Sequence, residues 1–176
     1  MLLSVVAISA QETKVKWYTL EEAVKLNEKT PKKFMIDLYT DWCGWCKKMD
    51  AETFASAELA RYINANYYPV KFDAESAEDV NFAGKVFTGS PNSKAVGGRR
   101  PSHQLTVALF QNVRSEERGY PAIAYLTEKL ELIGTVPGYK TAQQIEPLLH
   151  YIAEGKYQSV KLDDYTKTFV SQLAKQ

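Results

Sequence analysis

Apolar positions recur at helical spacing from Thr19 to Asn27, where Leu20, Ala23, Val24 and Leu26 alternate with polar residues. Thr19 is placed to cap this segment, and Glu22 three residues later completes a capping box, so a first helix is expected there. Beyond Pro31 the pattern changes to a nearly continuous apolar run, Phe34-Met35-Ile36-Asp37-Leu38-Tyr39. Such a run reads as a short strand covered on both faces, with Asp37 its odd member. From Lys47 to Asn64 a helical stripe returns through Met49, Phe54, Leu59, Ala60 and Ile63, and Tyr67 to Asp73 predicts a second strand. The separation of the two strands leaves room for the helix that a parallel crossover needs.

From Glu75 to Glu117 the pattern weakens. A short helix is expected over Ala77 to Val86, loops at Thr88–Asn92 and Gly97–Pro101, and a further short helix over Ser102 to Phe110. Two apolar runs, Pro121–Leu126 and Leu130–Val136, are separated by only three residues and predict an antiparallel hairpin. A last core helix opens at Thr141 with Ile145, Leu148, Leu149 and Ile152 on one face. Pro147 is expected to kink it unless it begins later, and Gly155 closes it before a polar helical tail. From Phe34 onward the order is β, α, β, α, β, β, α, the pattern of an α/β protein, with no internal repeat.

A chain of 176 residues is long enough for one well-buried core, and 22 basic against 21 acidic side chains leave a net charge of +1. So even a balance gives no global field to draw nucleic acid or an anionic membrane. Met1 to Ala10 is almost wholly apolar and ends in Ile8-Ser9-Ala10, whose small final residue is suited to cleavage before Gln11. It reads as a shortened signal peptide, with an N-terminal strand or apolar tail as the alternative. It is about half the ~20 residues that a membrane span requires.

Only two cysteines occur, three positions apart, in Asp41-Trp42-Cys43-Gly44-Trp45-Cys46, where the first strand passes into a helix. A thiol at a helix start meets unpaired N–H groups and the positive end of the helix dipole, which favours thiolate. Cys43 is thus the expected nucleophile, and Cys46, one turn on, is placed to resolve a mixed disulfide. Gly44 leaves the backbone uncrowded, while Trp42 and Trp45 offer apolar faces to a peptide. The alternatives are a static disulfide, or half of a zinc site that His103 and His150 would have to complete.

The segment Ile36-Asp37-Leu38-Tyr39-Thr40-Asp41-Trp42-Cys43-Gly44-Trp45-Cys46-Lys47-Lys48-Met49 resembles the thioredoxin superfamily. Within it, the chain looks most like the exported thioredoxin-like proteins with a Trp-Cys-Gly-x-Cys-Lys motif. The resemblance extends loosely from about Val15 to Gly155, and its second signature is Gly119-Tyr120-Pro121 before an apolar strand. It implies a central mixed β-sheet flanked by helices; against that pattern the segment over about 77–117 reads as an insertion before the strand that follows a cis proline, and the polar helical tail over 156–176 as an extension. It implies that Pro121 is cis against the cysteine pair and that Tyr120 offers backbone groups to a bound peptide. Without the family, Pro121 reads as a strand-opening residue.

The same resemblance assigns Asp37 to a buried carboxylate that moves the proton of the resolving thiol, with Lys71 as its supporting partner. By themselves, Asp37 reads equally as a strand-end carboxylate and Lys71 as a solvated strand residue. Two departures stand out: Trp45 replaces the commoner proline or histidine between the cysteines, and the 77–117 segment exceeds what the fold needs. Lys94, Arg99 and Arg100 beside Gly97-Gly98 form either a basic loop that touches a partner or a solvated surface loop.

The expectation is a monomeric, exported, periplasmic thiol–disulfide oxidoreductase of residues 11–155, reducing or exchanging disulfides. Its partners would be protein or peptide thiols and disulfides and an upstream electron donor or acceptor. It needs no cofactor beyond its Cys43–Cys46 disulfide, no metal, no nucleic acid and no stable membrane span. A disulfide-donating oxidant uses the same residues. A peptide-binding or chaperone-like module, and a cytoplasmic reductant with an uncleaved N-terminus, complete the alternatives.

Overall fold

The computed structural model of the protein describes residues 14–89 and 100–173. The putting-together of the chain begins with α1 (Leu20–Asn27), β1 (Lys33–Tyr39), α2 (Gly44–Glu52), α3 (Ala57–Asn66) and β2 (Tyr67–Asp73). It continues with β3 (Val80–Phe82), β4 (Lys85–Phe87), α4 (Gln104–Leu109), β5 (Ala122–Leu126), β6 (Leu132–Pro137), α5 (Ala142–Ala153) and α6 (Leu162–Thr168). The central sheet has the order β2-β1-β5-β6. β1 runs parallel to β2 and antiparallel to β5, and β5 is antiparallel to β6, so the sheet is mixed.

The apolar runs explain which strands lie in the middle. β1 and β5 are buried along their lengths because helices cover both sheet faces. Ile36, Leu38, Val70, Ala122 and Ala124 meet Leu20 and Ala23 of α1 and Leu105 and Leu109 of α4 on one face. Met35, Tyr67, Ile123 and Tyr125 meet Met49, Ile63, Ile145 and Leu149 of α2, α3 and α5 on the other. Thr19 and Glu22 form the expected capping box of α1, and Thr141 and Gln144 form another on α5.

Two expectations are corrected. The apolar stripe from Lys47 to Asn64 belongs to two helices, not one. The Ser56 hydroxyl accepts from the Leu59 N–H and starts α3 afresh, while the Thr53 hydroxyl donates to the Lys140 carbonyl at 2.6 Å. The helix expected over Ala77 to Val86 is instead the β3–β4 hairpin. Its two turn residues, Ala83 and Gly84, have φ of 51° and 74°, the left-handed pair that a two-residue hairpin turn requires. α5 runs from Ala142 to Ala153 with Pro147 inside it. Gly155, at φ 70°, then turns the chain toward α6. Among the described residues, no helix is long and apolar enough to cross a membrane. Residues 1–10, Lys94, Gly97, Gly98 and Arg99, which carry the expected leader and most of the basic loop, lie outside the described residues.

Candidate functional site

β1 delivers the chain to the edge of the core, and a tight turn closes there as the Cys43 N–H donates to the Thr40 carbonyl at 3.1 Å. Cys43 then takes the N-cap position of α2 with extended backbone, and its Sγ accepts the Cys46 N–H at 3.0 Å. A sulfur therefore does what a serine or threonine oxygen does at most helix starts, satisfying an N–H that the helix itself leaves open. That contact and the helix dipole both favour negative charge on Cys43 when it is reduced. The two sulfurs are bonded, at 2.07 Å, and the residues are 4% and 3% exposed.

The rim around the pair is aromatic. Trp42 and Trp45 are 41% and 58% exposed, and a side chain built at Gly44 would meet open space. The Trp42 indole N–H donates to the Glu75 carboxylate at 3.1 Å, and Glu75 also accepts the Arg100 N–H. The Trp42 ring lies edge-on to Tyr120 at 6.2 Å, and Tyr120 in turn lies against Phe110. On the other side Trp45 packs on Tyr139 at 5.4 Å, with the Lys48 ammonium above both rings.

The Tyr120–Pro121 peptide bond is cis. The Pro121 carbonyl accepts the Gly138 N–H at 2.7 Å, which ties the loop to the end of β6. The Tyr120 hydroxyl lies 3.3 Å from Ser102 Oγ in the segment between β2 and β5, so that segment reaches the site.

Beneath the rim, Asp37 is 2% exposed and pairs across the sheet with Lys71 on β2 and Ile123 on β5. Its Oδ2 accepts from Lys71 Nζ at 2.7 Å, while its Oδ1 has no partner among the described residues. Burial raises its pKa to about 6, and the nearby ammonium only partly offsets this. The Lys71 ammonium also donates to Asp50. Burial disfavours that cation, but the two carboxylates outweigh it and hold its pKa above the ordinary lysine value. Lys71 is therefore neither a freely solvated strand residue nor a simple partner of Asp37 alone.

The sequence pattern brought Cys43, Cys46, Trp42, Gly44 and Trp45 forward, the family resemblance added Asp37, Lys71 and Tyr120-Pro121, and both left out Asp50, Glu75 and Tyr139. Asp50 had a local signal, since it follows Cys46 by four residues and so shares its helix face. Glu75 and Tyr139 had none, because they reach the rim from distant parts of the chain. His103 and His150 lie elsewhere. His103 caps α4 through Nδ1, which accepts the Leu105 N–H, while its Nε2 lies 2.9 Å from the Glu78 carbonyl, and His150 stacks on Tyr62. Among the described residues, no three His, Cys, Asp or Glu side chains gather as a metal site.

The family model of a thioredoxin-like domain matches residues 20–153, which hold every element from α1 to α5. The chain belongs to the thioredoxin-like family. A solved thioredoxin-fold protein from Helicobacter pylori aligns with a TM-score of 0.56 at 22% identity, over 78% of this chain and 83% of that one. A solved putative disulphide-isomerase from Bacteroides thetaiotaomicron aligns with a TM-score of 0.53 at 21% identity, over 86% of this chain and the whole of that one. At such identities these likenesses concern the fold. Among curated proteins, human spermatogenesis-associated protein 20 is 30% identical over 101 residues, 57% of this chain but 12% of that protein. An uncharacterized protein of Archaeoglobus fulgidus is 35% identical over 74 residues, 42% of this chain and 58% of its own length. The thioredoxin-like chain thus spans about a tenth of the first and rather more than half of the second.

Proposed function

We propose that this thioredoxin-like protein is a thiol–disulfide oxidoreductase that reduces or exchanges disulfides of protein or peptide partners. The observation that carries the reading is Cys43 Sγ at the N-cap of α2, accepting the Cys46 N–H and bonded to the Cys46 sulfur. In the reduced protein, the Cys43 thiolate attacks one sulfur of a partner disulfide and forms a mixed disulfide. The displaced partner sulfur leaves as thiolate and takes a proton. Cys46 then gives its proton to Asp37 and attacks Cys43 Sγ. This closes the Cys43–Cys46 disulfide and releases the second partner thiol. Two electrons pass from the dithiol to the partner, and running the steps backward donates the disulfide instead.

The rim supports a peptide as partner. Trp42, Trp45 and Tyr139 offer apolar area beside the sulfurs. Among the described residues the backbone N–H and C=O of Tyr120 make no hydrogen bond, which suits strand-like docking of an extended segment. The apolar stretch Met1 to Ala10 supports work on exported partners in the periplasm.

The reading is tested with a synthetic peptide carrying one disulfide, mixed with reduced Cys46→Ser protein. The expected product is a stable one-to-one mixed disulfide mapped to Cys43 by mass spectrometry. No adduct, or one that forms equally well on the Cys43→Ser protein, contradicts the assignment.

A further inference from the structure

Lys71 is held in a way that the reaction above does not require. Its ammonium donates to Asp37 Oδ2 at 2.7 Å and also to Asp50 Oδ1, and it lies 5.0, 5.4 and 5.9 Å from the ring centroids of Trp17, Tyr39 and Phe54. The three charged side chains form a series from inside to outside: Asp37 is 2% exposed, Lys71 24% and Asp50 42%. The outer carboxylate opens on a groove of about 640 Å³ whose lining includes Trp17, Phe54 and Lys71.

One cation between two carboxylates cannot neutralise both. With both acids ionised the cluster carries a net negative charge, and the cost falls on the acid that water cannot reach, Asp37. Asp50 therefore acts on Asp37 twice: it competes for the ammonium and it adds a like charge. Helix geometry makes the link specific, because Asp50 sits one turn beyond Cys46 on α2.

We propose that Asp50 is a positioning residue for the buried acid, sharing Lys71 with Asp37 so that Asp37 remains able to accept the proton of Cys46. The inference rests on the oxidoreductase reading and deepens it. The titratable groups that interact with Asp37 are Lys71 from β2, Asp50 from α2, Tyr39 from β1 and Tyr125 from β5. Burial raises both phenols further above the neutral range, and Lys71 stays charged, so substituting Asp50 changes one charge among fixed ones.

The test is the ¹³C-carboxyl NMR titration of Asp37 in the oxidised full chain, compared across Asp50→Asn, Asp50→Ser and the charge-keeping Asp50→Glu. Both neutral variants are expected to lower the Asp37 midpoint by about half a pH unit or more, and Asp50→Glu to stay near the parent. A midpoint that is unmoved, or that rises, in the neutral variants overturns the inference, whatever their redox activity. A parallel pH profile for reduction of oxidised glutathione by the dithiol form separates the two claims. If the NMR midpoint moves while the rate profile stays put, the electrostatic link holds, but the role of Asp37 in thiol deprotonation, and with it the positioning role, is lost.

Discussion

At Asp37, a carboxyl group 2% exposed has one oxygen on Lys71 and the other without a partner among the described residues. Its pKa, pushed up to about 6 by burial, makes it a net cost to the fold at neutral pH. Between the ordinary value of 3.8 and about 6 the folded protein binds the proton that the unfolded chain releases, so stability falls as pH rises through that window. The rise corresponds to about 3 kcal/mol at most. Asp37→Asn is therefore expected to flatten the decline and to exceed the parent in stability at pH 8, as urea unfolding across pH would record. A parent whose stability rises over the same window would contradict the burial argument. Asp37 and the cysteine pair were legible because both announce themselves locally: a charge inside an apolar strand, and two thiols one helical turn apart. Glu75 was not, because its partner Trp42 lies 33 residues away, and for Asp50 the helix position after Cys46 was legible but its partner Lys71, 21 residues on, was not.

At the scale of elements, strand and helix were readable wherever the apolar period ran unbroken, as in β1, β2, β5 and α5. The failures have physical causes. The break between α2 and α3 lies inside a continuous apolar stripe, and only Ser56 as a cap marks it. Ser56→Ala is expected to cost about 1 kcal/mol in chemical unfolding by removing that cap. The β3–β4 hairpin was hidden because Ala83, a helix former, occupies a turn position with φ of 51°. Glycine takes that conformation without strain, so Ala83→Gly is expected to stabilise the protein by up to about 1 kcal/mol. A loss of stability in that variant would mean that the turn is not left-handed.

Across the whole molecule, the segment after α5 is tied back onto the domain. Glu146, 2% exposed, accepts the Ser171 hydroxyl and the backbone N–H groups of Gln172 and Leu173, while Tyr165 and Phe169 pack near Tyr151 and His150. A buried carboxylate satisfied by three donors is a strong local anchor. Glu146→Ala is expected to raise hydrogen exchange at Gln172 and Leu173 at least tenfold, the loss of about 1.4 kcal/mol of local protection, while the β1 and β5 amides keep theirs. Equal loosening throughout would show that Glu146 holds the core instead. The anchored segment packs along α5 and reaches, through Leu173, a cavity that Tyr139 also lines, next to the face bearing Cys43, Tyr120 and Trp45.

That face is judged most directly by the equilibrium redox state of Cys43 and Cys46 in graded glutathione buffers, read by thiol alkylation. The account predicts one reversible two-electron transition, with both cysteines changing state together and the fold retained at either end. A pair that stays bonded at every glutathione ratio, or that opens only when the protein unfolds, would make the disulfide a static brace and contradict the oxidoreductase assignment.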